Sequence, residues 1–370
     1  MSTFLINCSN IKAGGGIQVA QSLLEQAKRF KKHCFIFVLT DKIHKLEDND
    51  SENTKTFVYS IKNTFTSLFL GRDAYLDKMV ANEKVDAVLT VFGPSRWQPK
   101  VPHLCGFARA QLVLTDSPYY KRLAWKEKLL YRLWTWQFKK SSDTFYTENK
   151  YISDMIPNLL GKKVKVHTVS NYYNQVFDMP ETWRKHPLPE FDGTTSLSVS
   201  SYYPHKNFEI FVDAARVLKC KHPDFRFRFV LTFDDNQMAV PEDLKEHFLF
   251  IGRVDVSECP DLYRQADIMV MPTLLECFTA TYPEAMRMNI PIVTTDMEFA
   301  RGLCEDAACY YSAVDAKACA DAIYKVSTDK EYASMLVKNG KEQLKKFDNY
   351  EQRADKLIGI LEGMVKESRS

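Results

Sequence analysis

The chain has 370 residues, of which 45% are hydrophobic and 26% charged, and its formal net charge is +3. This composition is typical of a globular protein with two or three domains and excludes a disordered chain, while the near balance of charges argues against a dedicated nucleic-acid binder. No apolar stretch approaches the roughly 18–20 residues of a membrane-spanning helix. The first residues are neither basic nor followed by a long apolar run, so we expect no signal peptide.

The nine cysteines are scattered from Cys8 to Cys319 and form no Cys-x-x-Cys pair. Most of them lie in apolar stretches of the sequence. This distribution predicts reduced, buried thiols in a cytoplasmic protein rather than a disulfide framework or a zinc site.

The first half of the chain alternates apolar runs with amphipathic segments, which is the pattern of an α/β protein with parallel strands. Strands are predicted at 4–8, 34–40 and 85–92, and a helix at 17–30. The triplet Gly14-Gly15-Gly16 precedes this helix and allows a ligand to approach the backbone, although a plain strand–helix turn also uses glycine. It does not match the Gly-x-Gly-x-x-Gly fingerprint of dinucleotide sites.

The α/β pattern restarts after residues 192–195, which are small and polar and are predicted to be a linker. Strands are predicted at 196–200, 225–232, 248–251, 268–271 and 292–295, and helices at 206–219, 282–288 and 350–365. Two such units predict a cleft for a ligand beyond the carboxyl ends of the strands. We assign the domains to residues 1–190 and 191–348, with a closing helix at 349–370.

The loop after the predicted strand 268–271 carries Glu276, and Glu284 follows in the first turn of the next helix, where Pro283 suits the first position. A helix N-terminus at the end of a parallel strand favours a phosphate. Carboxylates beside it accept hydrogen bonds from sugar or ribose hydroxyls. The alternative is that Glu284 only caps its helix and Glu276 is a solvated loop charge.

Lys206 ends the loop that follows the predicted strand 196–200 and lies at the predicted start of a helix. A lysine is mildly unfavourable at the positive end of a helix, which suggests an anion nearby. Its compact charge suits a diphosphate. The alternative is an ordinary surface lysine.

Several motifs of the second half hold a common order and spacing, namely Tyr203-Pro204-His205-Lys206-Asn207 and the segments 250–252, 262–268, 276–286 and 291–293. Over residues 196–350 the chain resembles the retaining GT-B glycosyltransferases of family 4. The first half resembles bacterial surface-polysaccharide members more loosely, through segments 14–16, 92–95 and 103–108. The resemblance implies two Rossmann-like domains with parallel sheets facing a central cleft, and a C-terminal helix that returns to the first domain.

The resemblance implies most of its roles for the second half. Glu284 would bind the ribose hydroxyls of a nucleotide-sugar donor, and Glu276 would lie near the donor sugar and the reacting centre. Lys206 would neutralise the diphosphate leaving group. The backbone N–H groups of Phe278 and Thr279 would contact the sugar or the diphosphate.

Other implied roles are less direct. Gly15 and Gly16 would approach the diphosphate from the first domain, and His103 would lie near the donor sugar, whereas the residues alone predict His103 to be a bonded histidine at a strand end. The family often carries an arginine five positions before its phosphate lysine, but that position is Ser201 here. We hypothesise that Arg253, at the end of the neighbouring strand, partly replaces the missing cation.

Further departures concern the glycines of the family, which are replaced by Cys277, Thr279 and Asn289. Asparagine tolerates left-handed backbone geometry, so these changes leave the donor sugar open rather than the fold. The segment Asp48-Asn49-Asp50 has the Asp-x-Asp pattern of metal sites in another glycosyltransferase architecture, but its hydrophilic surroundings predict a solvated loop.

The function predicted from these observations is retaining, metal-independent transfer of a sugar from a nucleotide-diphosphate sugar to a glycan or lipid-linked acceptor in surface-polysaccharide synthesis. No cofactor or nucleic acid is expected. Two alternatives remain open at this point. One is a nucleotide-sugar epimerase on the same fold, and the other is a non-catalytic protein that binds sugar nucleotides.

Residues 119–140 contain seven basic residues and one acid, Glu127, interleaved with aromatic residues. This pattern suits peripheral contact with the inner face of a membrane or with a lipid-linked acceptor, and it also suits nucleic acid. The alternative is an ordinary helix with a basic outer face and with Leu129, Leu130 and Leu133 in the core.

Overall fold

The computed structural model describes residues 1–11, 14–44 and 51–370. The chain forms two compact units, each with its own parallel sheet. Unit 1 comprises Met1–Val113, Leu123–Asn171 and Asp348–Ser370, and unit 2 comprises Leu114–Arg122 and Tyr172–Phe347. Residues 172–190, which the sequence analysis assigned to the first domain, therefore pack within unit 2.

The strands are short and every neighbouring pair is parallel. Those of unit 1 are β1 Ser2–Asn7, β2 His33–Leu39, β3 Thr54–Val58, β4 Ala87–Thr90, β5 His103–Gly106, β6 Thr144–Thr147 and β7 Lys165–Thr168. Those of unit 2 are β8 Thr194–Ser198, β9 Phe227–Leu231, β10 Phe248–Phe250, β11 Ile268–Met271, β12 Ile292–Thr295 and β13 Ala308–Tyr311. The sheet orders are β3-β2-β1-β4-β5-β6-β7 and β10-β9-β8-β11-β12-β13. The predicted α/β class is confirmed.

Most helices lie between successive strands, and the last three follow β13. In the first half they are α1 Gly15–Ala27, α2 Asp41–His44, α3 Ala74–Asn82, α4 Pro118–Arg122, α5 Trp125–Ser141 and α6 Lys150–Leu160. In the second half they are α7 Ile210–Lys221, α8 Cys259–Arg264, α9 Thr281–Met288, α10 Glu298–Cys304, α11 Ala316–Thr328, α12 Lys330–Leu344 and α13 Tyr350–Arg369. No helix in these described ranges is both long and apolar enough to cross a membrane.

Strand β1 shows why the sheet of unit 1 is covered on both faces. Its residues alternate, so that Phe4 and Ile6 enter one buried cluster and Leu5 enters another. The terminal helix α13 contributes Leu357 and Leu361 to the cluster of Phe4. The C-terminal helix therefore packs on unit 1, which confirms the predicted return to the first domain.

Two predicted boundaries in unit 2 are wrong. Strand β8 begins at Thr194, inside the predicted linker, because the N–H of Thr195 donates to Asp267 at 2.8 Å and its hydroxyl accepts from Arg228 at 3.0 Å. Helix α7 begins at Ile210 rather than at Lys206. The intervening Asn207 has a φ of 57°, in the left-handed region, which separates Lys206 from the helix.

All nine cysteines lie in the described residues and are free. Seven are buried, Cys34 is half-buried and Cys220 on α7 is exposed. The prediction of unpaired, mostly buried thiols is confirmed.

Candidate active site

Lys206 and Glu276 form an ion pair at the carboxyl-end loops of β8 and β11, which are adjacent strands. The Lys206 Nζ donates to Glu276 Oε1 at 2.5 Å, and the two side chains are only 11% and 12% exposed. Lys206 is thus not an ordinary surface lysine, and Glu276 is not a solvated loop charge. A nearly buried ammonium has lost most of its water, so it interacts more strongly with an entering anion than a surface lysine does.

The loops that carry this pair are held to each other by the backbone. Lys206 closes a 3-10 turn, Pro204–Lys206, and its N–H donates to the carbonyl of Tyr203 at 2.8 Å. The N–H of Leu274 donates to the carbonyl of His205 at 2.8 Å, and the Thr273 hydroxyl donates to Glu276 Oε1 at 3.1 Å. The Glu276 carboxylate therefore has two fixed donors before any ligand arrives, which is a preorganised arrangement.

The loop after β11 leads into helix α9, whose N-terminus carries open backbone donors. The helix begins at Thr281, so Pro283 lies at its third position and not at the predicted first. Within the described part of the chain, the backbone N–H groups of Phe278 and Thr279 donate no hydrogen bond. Open N–H groups at the positive end of a helix favour an anion.

Glu284 lies on α9 and is buried. The Tyr263 hydroxyl donates to Glu284 Oε2 at 2.9 Å, and no capping bond from the Glu284 side chain to its own helix exists. Burial raises the pKa of Glu284 to about 7, although the bond from Tyr263 opposes the shift. A carboxyl group that titrates near neutral pH and is held by one tyrosine retains free acceptor capacity.

Ser201 and Arg253 follow β8 and β10, and both are exposed. Arg253 follows β10, which is not the neighbour of β8 as predicted, because β9 lies between the two strands. Strands two positions apart in a sheet are roughly 10 Å from each other, so Arg253 starts at that distance from the Lys206 loop. The idea that Arg253 replaces the missing cation therefore requires its side chain to reach across the end of β9.

The glycine triplet of unit 1 opens helix α1 after the carboxyl end of β1. Gly14 has a φ of 70°, which disfavours other residues. Among the described residues, a Cβ at Gly15 would meet nothing within 4 Å, whereas one at Gly16 would lie 3.2 Å from Ile11 Cγ2. Gly15 therefore has open space beside it, while Gly16 packs closely against the core.

His103 begins β5, so it lies at the amino end of that strand, the end opposite to the glycine triplet. Its Nε2 is 2.8 Å from the Thr90 hydroxyl and its Nδ1 is 2.7 Å from the Ser141 carbonyl. Burial lowers the pKa of His103 to about 4. This is the bonded strand-end histidine that the residues alone predicted, and the structure does not bring it to the carboxyl ends of the strands.

The Asp48-Asn49-Asp50 segment lies outside the described residues. Across residues 1–11, 14–44 and 51–370, no three His, Cys, Asp or Glu side chains converge in a way that would hold a metal ion. Metal independence stays a prediction.

Two residues of the site carried no predicted role. Tyr263 is fully buried and supplies the bond to Glu284, and Thr273 supplies the second bond to Glu276. In the sequence, Tyr263 precedes the core strand β11 and Thr273 follows it. A buried tyrosine needs a partner for its hydroxyl, so Tyr263 beside the apolar Leu262 was the available signal.

The geometry on unit 2 can be compared with known proteins. Residues 180–343 match the model of the family glycosyl transferases group 1. The matched region lies within unit 2 and contains Lys206, Glu276 and Glu284. The buried ion pair and the open helix N-terminus thus fall in the part of the chain that is similar to glycosyltransferases.

Relatives of known function are distant. The chain is 23% identical over 283 residues to mannosylfructose-phosphate synthase of Agrobacterium fabrum, which covers 70% of this chain and 60% of the synthase. It is 24% identical over 249 residues to the O-antigen chain mannosyltransferase RfbU of Salmonella typhimurium, covering 65% and 67%. The chain therefore spans less than two thirds of the length of the first of these relatives.

Sucrose-phosphate synthase from Thermosynechococcus elongatus has a similar structure, with a TM-score of 0.72 over 99% of this chain and 100% of the other. The sequence identity is 16%, so this similarity concerns the fold alone. The fold is α/β and GT-B-like, as predicted.

Proposed function

We propose that this chain is a retaining, metal-independent glycosyltransferase that moves a hexose from a nucleoside-diphosphate sugar to a glycan or lipid-linked glycan in surface-polysaccharide synthesis. The observation that carries the proposal is the nearly buried Lys206–Glu276 pair beside the open N–H groups of Phe278 and Thr279. The match to glycosyl transferases group 1 over the same residues supports it. The names of two relatives, one a mannosyltransferase for O-antigen chains, support a hexose and a surface glycan.

The proposed reaction breaks the bond between the sugar's anomeric carbon and the diphosphate oxygen, which leaves with the electron pair. The acceptor oxygen forms the new bond on the same face of the sugar, and its proton passes to the departing diphosphate. Lys206 and the N–H groups of Phe278 and Thr279 stabilise the negative charge that grows on the leaving group. Glu276 holds Lys206 in place and lies near the sugar that becomes positive.

Further donor contacts are proposed for the nucleotide. Glu284 accepts hydrogen bonds from the ribose hydroxyls. Ser201 and Arg253 lie in the loops that follow β8 and β10, at the same end of the sheet as Lys206. His103 is left out of the reacting groups, because both of its ring nitrogens already have partners.

A thermal-shift screen with UDP, GDP and other nucleoside diphosphates tests donor binding, because a ligand of the folded state raises the unfolding midpoint. The protein is then incubated with candidate acceptors and with the nucleoside-diphosphate sugar of the base that responds. Mannose is tried first as the sugar. The anomeric configuration of the product, read by NMR coupling constants, is expected to equal that of the donor. An inverted product contradicts retention, and acceptor-free conversion of the donor sugar contradicts transfer in favour of epimerisation.

A further inference from the structure

Unit 1 exposes large apolar side chains on two segments, helix α5 and the π-helical turn Thr66–Leu70 with its preceding residue. Phe65 and Trp125 are each 70% exposed, and Leu129 is 57% exposed. Phe69 and Trp136 are 41% and 40% exposed. We call these five side chains the apolar face. Apolar side chains scattered singly are ordinary on a surface, whereas a contiguous group marks a contact site.

The five side chains lie along one surface of unit 1, with Arg132 between Leu129 and Trp136 on the helix. Trp125, Leu129 and Trp136 lie four and seven positions apart, which places them on one stripe of α5. The ring of Phe69 is 6.3 Å from that of Trp136, and the ring of Phe65 is 5.1 Å from that of Phe69. The turn therefore continues the stripe of the helix.

Hydrogen bonds hold the turn against the helix. The Lys140 Nζ donates to the carbonyl of Phe69 at 2.7 Å, and the Gln137 side chain donates to the carbonyl of Leu68 at 3.3 Å. These bonds connect residues about seventy positions apart in the chain, so the apolar face is a built feature of unit 1 rather than the edge of a loose loop.

The charges around the apolar face have one sign. The segments 61–72 and 125–141 contain seven basic residues, namely Lys62, Arg72, Lys126, Lys128, Arg132, Lys139 and Lys140. Their one acid is Glu127, which accepts from the backbone N–H of Ala124 at 3.0 Å and so caps the start of α5. Arg132 lies on the stripe of Trp125 and is exposed. Cations around an exposed apolar stripe complement a surface of anionic lipid.

We propose that unit 1 docks on an anionic lipid bilayer through the apolar face, with its side chains below the headgroups and the surrounding cations among the lipid phosphates. The alternative of an ordinary core helix expected Leu129 and Leu130 to be buried, but they are 57% and 42% exposed. The exposed aliphatic side chains of Leu129 and Leu130 suit the interior of a bilayer. The aromatic rings of the apolar face could also stack on bases, so binding of nucleic acid is one outcome of the test. The proposal does not depend on the proposed function.

The experiment is flotation of the full chain with phosphatidylcholine vesicles that contain either no anionic lipid or about 30% phosphatidylglycerol. We expect binding to the anionic vesicles that weakens at least tenfold between roughly 50 and 500 mM salt, because salt screens the cations. The variant Phe65→Ser/Trp125→Ser is expected to lose at least tenfold of the wild-type affinity. Both positions are largely exposed, so its unfolding midpoint should equal that of the wild type.

The matched control is Val314→Ser/Met335→Ser, which removes two exposed apolar side chains of unit 2. It is expected to bind vesicles as the wild type does. The proposal is overturned if the wild type ignores anionic vesicles at low salt or if the two double variants bind equally. Two further outcomes overturn it when the wild type ignores vesicles. One is binding of a single-stranded oligonucleotide that Phe65→Ser/Trp125→Ser abolishes. The other is concentration-dependent dimerisation in sedimentation that the same variant abolishes.

Discussion

Lys206 is the residue on which the proposed charge stabilisation depends most. Its ammonium group is nearly buried and is aligned by Glu276, so in the proposed reaction it would act on the leaving diphosphate without first losing water. The pair also explains how a cation is kept at this position in the absence of ligand, since a buried charge needs a partner.

We expect Lys206→Ala to lower kcat/KM by roughly 10²–10³, because one preorganised donor to the leaving group is lost. Steady-state kinetics with the donor identified by the thermal-shift screen measures this. Lys206→Arg keeps the charge and should lose less. The control is Lys219→Ala, which removes an exposed lysine of α7. Equal rates for Lys206→Ala and this control would contradict the assigned role.

Glu284 predicts a pH dependence. Because its pKa is raised to about 7, the free protein holds this proton below neutral pH, whereas ribose hydroxyls bond more strongly to the ionised carboxylate. With a pKa near 7, nucleotide affinity should rise about tenfold between pH 6 and 8, with release of a proton at the lower pH. Titration calorimetry in buffers of different ionisation enthalpy measures both effects.

Glu284→Gln keeps the titration of the nucleotide's own phosphate, so the difference between the two proteins isolates Glu284. The variant should bind more weakly and lack the extra pH dependence. The raised pKa has a second consequence for the folded state: as pH rises from about 4.5 to about 7, the wild type loses stability relative to Glu284→Gln. If the wild type and Glu284→Gln show the same pH dependence of nucleotide affinity and of unfolding free energy, this account of Glu284 is wrong.

Among the elements, helix α9 is capped at its C-terminus by Asn289 in left-handed geometry. Asn289 replaces a glycine of the family that the chain resembles, and the sequence predicted that it tolerates this geometry. Asn289 has a φ of 61°, in the left-handed region that glycine prefers. Its N–H and that of Ile290 donate back to the last turn, to Met286 and Ala285. This ending turns the chain directly into β12, which lies beside β11 and its loop.

We expect Asn289→Ala to lower the free energy of unfolding by about 1 kcal/mol, because alanine is strained at this φ. Asn289→Gly should be neutral or slightly stabilising for the same reason. Chemical denaturation of the three proteins measures both changes. A larger loss for glycine than for alanine would mean that the asparagine side chain, and not the backbone, determines the stability at this position.

The sequence predicted the core strands and helices better than the local geometry of the candidate site. Long apolar strands such as β2, and the glutamates before and within α9, could be located because periodicity and position are sufficient for them. Lys206 was expected on a helix but lies in a turn. The bond that holds this turn comes from Leu274, which is 69 positions after His205 in the chain, so no local pattern predicts it. The burial that raises the pKa of Glu284 and the partner Tyr263 likewise arise from tertiary packing, which no local pattern encodes.

For the molecule as a whole, the chain ends on the unit in which it began. Helix α13 is anchored there by a buried ion pair in which Arg353 donates to Glu148 at 2.9 Å, and Arg353 also donates to Asn171 at 2.5 Å. Both charged side chains are less than a tenth exposed. The pair joins residues more than two hundred positions apart and so stabilises unit 1 against loss of its last helix.

We expect Arg353→Met to cost about 3–5 kcal/mol of unfolding free energy, because it leaves the Glu148 carboxylate buried without its cation. The double variant Glu148→Leu/Arg353→Met should recover most of this loss. Denaturant unfolding followed by circular dichroism measures each protein. A double variant as unstable as the single one would show that the guanidinium acts mainly through Asn171.

The exposure of Cys220 gives this protein one accessible point for covalent labelling. Burial raises the pKa of the thiols of Cys105 and Cys319 to about 12, which suppresses the thiolate that reacts with alkylating reagents. A maleimide dye should therefore attach first at Cys220, near the far end of α7 and roughly 15 Å along that helix from its start. The unmutated protein can thus carry a fluorescent reporter on unit 2, at the end of α7 that lies away from the Lys206 loop.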